Sequence, residues 1–294
     1  DLHKFLRQVI YLVPKSGIEK LFIDTSRRHD AAWFFKPSRS YNTDSIPTPG
    51  DLQELDLEQN SFVLFASSSI RYYKNRFGPQ DIENISYRFT DISSHELAFK
   101  KIIDLNLKVV RVGVDVEALP LSMSSLPIID YTDIKRNELS ELWLYQNCKM
   151  MISSSNGAFW FAKRFERPTL ITDLYGFLHR NVSTFYIPML INDANKGLLL
   201  SFSEMLNFSK SKVFGNKNMM ENSGLFYIPN SSLSVANGSN ELLSYSEGSF
   251  RPSAQDLALQ MKFNNLRIAH DIPFSVNGSL ISFSFLREYS HLLD

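Results

Sequence analysis

Residues 150–173 read MMISSSNGAFWFAKRFERPTLITD. Two short apolar runs, CKMMIS (148–153) and TLIT (169–172), flank the aromatic-rich AFWFAKRF (158–165). The outer runs have strand length and the middle one suits a helix. A strand, a helix and a strand this close together form a unit that places its two strands parallel.

The same alternation extends outward. SFVLFA (61–66) is an apolar run of strand length. A helix is predicted from Ser93, where Ser93 and Glu96 have capping-box spacing and Ala98, Phe99, Ile102 and Ile103 share a face. LKVVRVG (107–113) and LPIID (126–130) read as buried strands, and Asn137–Asn147 as an amphipathic helix carrying Leu139, Leu142, Trp143 and Gln146. The order β, α, β, β, α, β, α, β predicts an α/β fold: a Rossmann-like parallel sheet with helices on both faces. Residues 195–250, rich in Ser, Asn and Gly, are predicted to be loops and short elements. Helices are expected again over 252–266 and 282–293.

Residues 1–60 are predicted to be a partial or degenerate N-terminal region and linker, ending in the Pro-bearing connector KPSRSYNTDSIPTPGD. Residues 61–294 would then form the Rossmann-like domain. The 31 basic residues balance the 31 acidic ones, so no global field draws the chain to nucleic acid or an anionic membrane. A single cysteine, Cys148, excludes an intrachain disulfide and suits a reducing compartment, so the expected location is cytoplasmic. No apolar run reaches membrane-span length. The chain starts at Asp1, which suggests a piece of something longer.

Parallel sheets bind ligands at the carboxyl ends of their strands. The stretches to inspect are therefore Ser67 to Arg71, Val112 to Glu117, Asp130 to Asp133, Ser153 to Gly157 and Asp173 to Phe177. The loop Ser153, Ser154, Ser155, Asn156, Gly157 sits between a strand and a helix, where free NH groups and hydroxyls suit a phosphate and Gly157 allows close approach. The same residues suit a plain N-cap and turn, and both readings stand. Arg71, Lys74, Arg76 and Arg88 follow the first strand, while Arg111 lies inside an apolar one and must find either a ligand or a carboxylate such as Asp130. Asp115 and Glu117 have the spacing of metal-nucleotide carboxylates, and Asp130 and Asp133 could instead cap a helix. No histidines fall at metal-ligand spacing, and no metal site is expected. There is no Walker loop, GxGxxG or GxSxG, which argues against a P-loop NTPase, a dinucleotide-binding dehydrogenase and a serine hydrolase.

Taken in order, YRFTDI (87–92), KVVRVG (108–113), IIDYTD (128–133), residues 137–173 and GSLISFSFLREYSHLL (278–293) resemble a bacterial glycosyltransferase family found with surface-polysaccharide genes. That family is itself similar to the C-terminal half of GT-B enzymes. The resemblance implies a nucleotide-sugar donor as substrate, with no cofactor and no metal. The diphosphate would lie against Ser153–Gly157, and the base or ribose near Gly113 and Asp130. Arg88 and Arg111 would neutralise the departing diphosphate. The acceptor would be a glycan or lipid-linked glycan, served by an additional domain or subunit and possible attachment to the inner membrane face. The family's histidine after the first strand is absent from FASSSIR, which leaves the acid/base residue unassigned; His95, Asp115 and Glu247 are the candidates. Two rivals remain: a non-catalytic nucleotide- or glycan-binding scaffold, and transfer of a different activated group such as pyruvyl.

Overall fold

The computed structural model describes residues 46–76, 79–132, 137–176, 184–211, 213–270 and 279–294. Ten strands are present among them: β1 Phe62–Ala66, β2 Lys108–Arg111, β3 Ile128–Asp130, β4 Met150–Ser154, β5 Thr169–Leu174, β6 Phe185–Pro188, β7 Leu190–Asp193, β8 Leu198–Leu199, β9 Leu225–Ile228 and β10 Leu280–Ile281. The helices are α1 Gly50–Gln53, α2 Ile70–Lys74, α3 Pro79–Asn84, α4 Glu96–Asp104, α5 Glu138–Asn147, α6 Phe159–Arg164, α7 Phe202–Phe208, α8 Lys217–Asn222, α9 Ser232–Ser246, α10 Ala254–Ala269 and α11 Phe283–Glu288.

Seven strands form one sheet in the order β10-β6-β5-β4-β1-β2-β3, with every pairing parallel. This is the Rossmann-like arrangement expected from the alternation. Every residue of β1, β4 and β5 is buried, which is what a sheet covered on both faces requires. The predicted strands and helices of residues 61–173 are all present, with ends shifted by a few residues. The helix at Ser93 begins instead as a 3-10 turn over Ile92–His95, whose cap is Asp91 accepting from Ser93 N, and becomes α-helical at Glu96. The cap of α5 is Asn137, not Asp130, and Asp133 lies outside the described residues.

Residues 46–60, which hold the end of the predicted connector and the rest of the N-terminal region, pack against the sheet domain. Leu52 is fully buried, and Asp51 accepts from Tyr131 Oη at 3.0 Å and Ser140 Oγ at 2.6 Å. Residues 1–45 lie outside the described residues.

The largest departure is α9, which lies within the stretch predicted to be loops. Its sequence SLSVANGSNELLSYS is poor in helix formers. Its support is tertiary: Val235, Ala236 and Leu242 are fully buried. At Gly238 the helix approaches the sheet so closely that an added Cβ would lie 2.8 Å from Ile187 Cδ1 and 3.4 Å from Leu170 Cδ2. A second sheet, β8-β7-β9, is antiparallel and begins where β6 runs out at Pro188.

Gly238→Leu is expected to overpack this contact and cost roughly 1–3 kcal/mol. Urea denaturation should show a lowered midpoint with an unchanged slope.

Candidate functional site

Chain order runs β1, β2, β3 toward one edge of the sheet and β4, β5, β6 toward the other. The reversal between β1 and β4 opens a crevice at their carboxyl ends, the place where such sheets bind ligands. The loop after β1 and the loop after β4 meet there, laced by hydrogen bonds. Ser68 N donates to Ser154 Oγ at 2.6 Å, Ser68 Oγ to Ser155 O at 3.1 Å, and Asn156 Nδ2 to Ala66 O at 3.2 Å.

Most of the Ser153–Gly157 loop is occupied by this lacing. Ser153 and Ser154 are fully buried, and Ser153 Oγ donates to Ser154 O at 2.9 Å. Asn156 Oδ1 accepts from Ala158 N at 2.8 Å, which uses the first NH ahead of the short α6. The turn-and-cap alternative thus describes Ser153, Ser154 and Asn156. Ser155 and Gly157 are the members left facing outward, and a Cβ added at Gly157 would meet open space.

Beyond β2, Arg111 is buried and paired with its register neighbour Asp130 at 2.9 Å, while its Nη2 donates to Glu117 O at 2.5 Å. Asp130 Oδ1 also accepts from Thr132 Oγ1 at 2.5 Å. The structural ion pair is therefore the geometry observed for both residues. Gly113 adopts φ 156°, and a Cβ there would lie 2.6 Å from Val116 Cγ1, so the turn itself requires glycine. Asp115 binds Arg76 at 2.9 Å, and that guanidinium holds its carboxyl below the usual range. Glu117 Oε1 accepts from Arg71 N at 2.9 Å.

The other two acid/base candidates are placed elsewhere. His95 is fully buried, with Nε2 3.0 Å from Thr172 Oγ1 and Nδ1 3.1 Å from Ser94 Oγ. Ser94 already donates to Asp91 O at 2.8 Å, which favours the proton on Nδ1, and the Thr172 hydroxyl is shared between Nε2 and Ser153 O at 3.5 Å. Burial pushes its pKa down to about 4 and keeps it neutral. Glu247 pairs at 2.8 Å with Lys149, the residue before β4. That puts it at the amino ends of the strands, about 17 Å from the crevice by strand rise.

Arg88 stands apart from these neutralised groups. It closes a 3-10 turn over Ser86–Arg88, with its Cζ 5.0 Å from the Tyr175 ring centroid and 5.8 Å from that of Tyr73. Tyr73 lies in α2, beyond β1, and Tyr175 directly follows β5, so Arg88 is held at the carboxyl edge of the sheet. The guanidinium makes no ion pair or hydrogen bond among the described residues. Its Nε is buried without a hydrogen-bond partner, and the residue as a whole is half-buried. Around it, Tyr87 lies 5.2 Å from Tyr175 and stacks on Tyr227 at 4.8 Å. Burial first, then the neighbouring Tyr175, pushes the Tyr87 phenol up to about 12.

Sequence reasoning did not anticipate Tyr73, Tyr87, Tyr175 and Tyr227 as a group. They come from four separate segments, and the pairs YY at 72–73 and FY at 226–227 were the available signals. Phe177 lies outside the described residues. Among the described residues no cluster of three His, Cys, Asp or Glu side chains could hold a metal ion, and no helix is long and apolar enough to cross a membrane. Together these features define a Rossmann-like α/β domain with a polar crevice at its topological switch point. Compared with known proteins, the chain matches no family model, no curated protein and no solved structure.

Two outcomes follow for the buried charges. Because the folded-state pKa of His95 is depressed from 6.5 to about 4, its contribution is fully present above pH 6.5 and is lost as pH falls toward 4. The loss amounts to about 3 kcal/mol, and it should vanish from the pH dependence of urea stability in His95→Phe. Arg111→Ala leaves Asp130 without its partner and is expected to cost on the order of 3 kcal/mol, seen as a lowered denaturation midpoint.

Proposed function

We propose that the protein is a glycosyltransferase of GT-B type that binds a nucleotide-activated sugar at the carboxyl edge of its parallel sheet, without a metal, and passes the sugar to a glycan acceptor. The diphosphate lies between the outward residues of the β4 loop, Ser155 and Gly157, and Arg88. The observation that carries this is the state of Arg88: a half-buried guanidinium above the switch-point crevice with no carboxylate partner among the described residues. A cation held between aromatic rings, with no ion pair among the described residues, favours an oxyanion, and stabilises the charge that develops on a departing diphosphate. Arg111 and Asp130 support the edge from below by satisfying each other.

A second reading, a non-catalytic binder of the same ligand class, is favoured by the fate of the acid/base candidates. His95 is enclosed, Asp115 is paired with Arg76, and Glu247 lies at the opposite end of the strands.

Calorimetric titration with UDP, GDP, ADP and TDP tests the shared part. At least one should bind, Arg88→Ala should weaken it about 10- to 100-fold, and Ser155→Trp should block it. Failure of all four to bind removes the donor site. Hydrolysis or transfer of the sugar from the matching nucleotide-sugar supports the enzyme, and saturable binding without turnover supports the binder.

A further inference from the structure

The residues between β6 and α9 form the small antiparallel sheet, and both of its stalks return to one side chain. Asn230, just before α9, donates its backbone NH to Asp173 Oδ1 at 2.7 Å and accepts at Oδ1 from Asp173 N at 2.6 Å. Its Nδ2 donates to Pro188 O at 2.9 Å. Pro188 ends β6 where the chain enters the small sheet, and Asn230 lies where it leaves. One buried amide therefore pins the entrance, the exit and the end of β5 together.

The end of β5 is distorted at this clamp. Asp173 has φ 47°, the left-handed region, and the β5–β6 register shifts between Ile171 and Leu174. Such a conformation persists in a non-glycine residue only where the surroundings hold it. Two residues later comes Tyr175, whose ring carries Arg88. The small sheet reaches the same place from the other side: Tyr227 stacks on Tyr87, and Tyr87 Oη donates to Gly215 O at 2.8 Å.

We propose that the small sheet is a fixed wall of the Arg88 oxyanion site, and that Asn230 is the positioning residue that locks it there through Asp173 and Pro188. The inference rests on the donor-binding reading above. Without the clamp Asp173 leaves the left-handed region, Tyr175 swings from the guanidinium, and the cation loses the orientation that suits a diphosphate. Asn230 acts through Tyr175 and touches no ligand itself.

The test is binding of inorganic pyrophosphate, UDP and GDP to the whole protein by calorimetry, with near-UV circular dichroism reporting the tyrosines. Asn230→Ala and Asp173→Ala are expected to weaken binding roughly tenfold, the scale of one misaligned charge-assisted hydrogen bond, and to change the tyrosine dichroism. Asp173→Asn keeps the acceptor for Asn230 N and tolerates the left-handed region, so it should bind as the parent does. Ser253→Ala removes the cap of α10, touches no part of the clamp, and should lower stability without changing affinity. If Asn230→Ala does not fold, Asn230→Asp, which keeps Oδ1 and loses the Nδ2 donor, gives the same decision. Parent-like affinity in the Asn230 variants overturns the positioning role alone. Absence of binding by the parent protein to all three probes overturns the donor reading and this inference together.

Discussion

A parallel sheet buried on both faces can present polar groups only at the ends of its strands, and this constraint organises the molecule. β1 and β4 lie at the centre and are apolar until their last residues, where Ala66 stands beside Ser153 in the register. Immediately beyond, the chain must satisfy backbone groups leaving the sheet in a confined space. Ser68, Ser154 and Asn156 do so by bonding across the two loops. The two loops are therefore tied to each other, which leaves few polar groups of the β4 loop unspent.

The same economy sorts the cations of this edge. Arg111 enters the interior and is matched by Asp130 on the neighbouring strand, as a buried guanidinium must be. Arg76 is matched by Asp115. Arg88 lies against tyrosine faces and makes no ion pair among the described residues. On the proposed function, that difference is what leaves Arg88 to a ligand while Arg111 and Arg76 belong to the scaffold. The small sheet reaches this arrangement through Tyr227, and Asn230 at its exit bonds Pro188 at its entrance.

Much of the central sheet was legible because burial on two faces leaves a local trace: FVLFA, KVVR and MMISS are apolar runs of strand length, and the spacing of Leu139, Leu142 and Trp143 marks the helix between two of them. The helix over Ser232–Ser246 left no such trace. Its Ser, Asn and Gly content signals a loop, and only the space between Gly238 and Ile187 makes the glycine an asset. The strand TLIT was read as ending at Thr172, yet it runs on to Leu174 through a left-handed Asp173, which Asn230, far along the chain, bonds on both sides.

What the sequence by itself determined was the alternation of elements, hence a parallel α/β sheet and a set of strand ends where chemistry could occur. Periodicity and capping act over a few residues, so a linear reading can recover them. What only the tertiary structure decided was which polar side chains at those ends are free. Ser154, Arg111 and His95 find partners from other segments, while among the described residues Arg88 meets aromatic rings and no carboxylate. Partnering across separate strands is a property of the strand order, and strand order is set by the packing of the whole sheet and its helices rather than by any one stretch of chain.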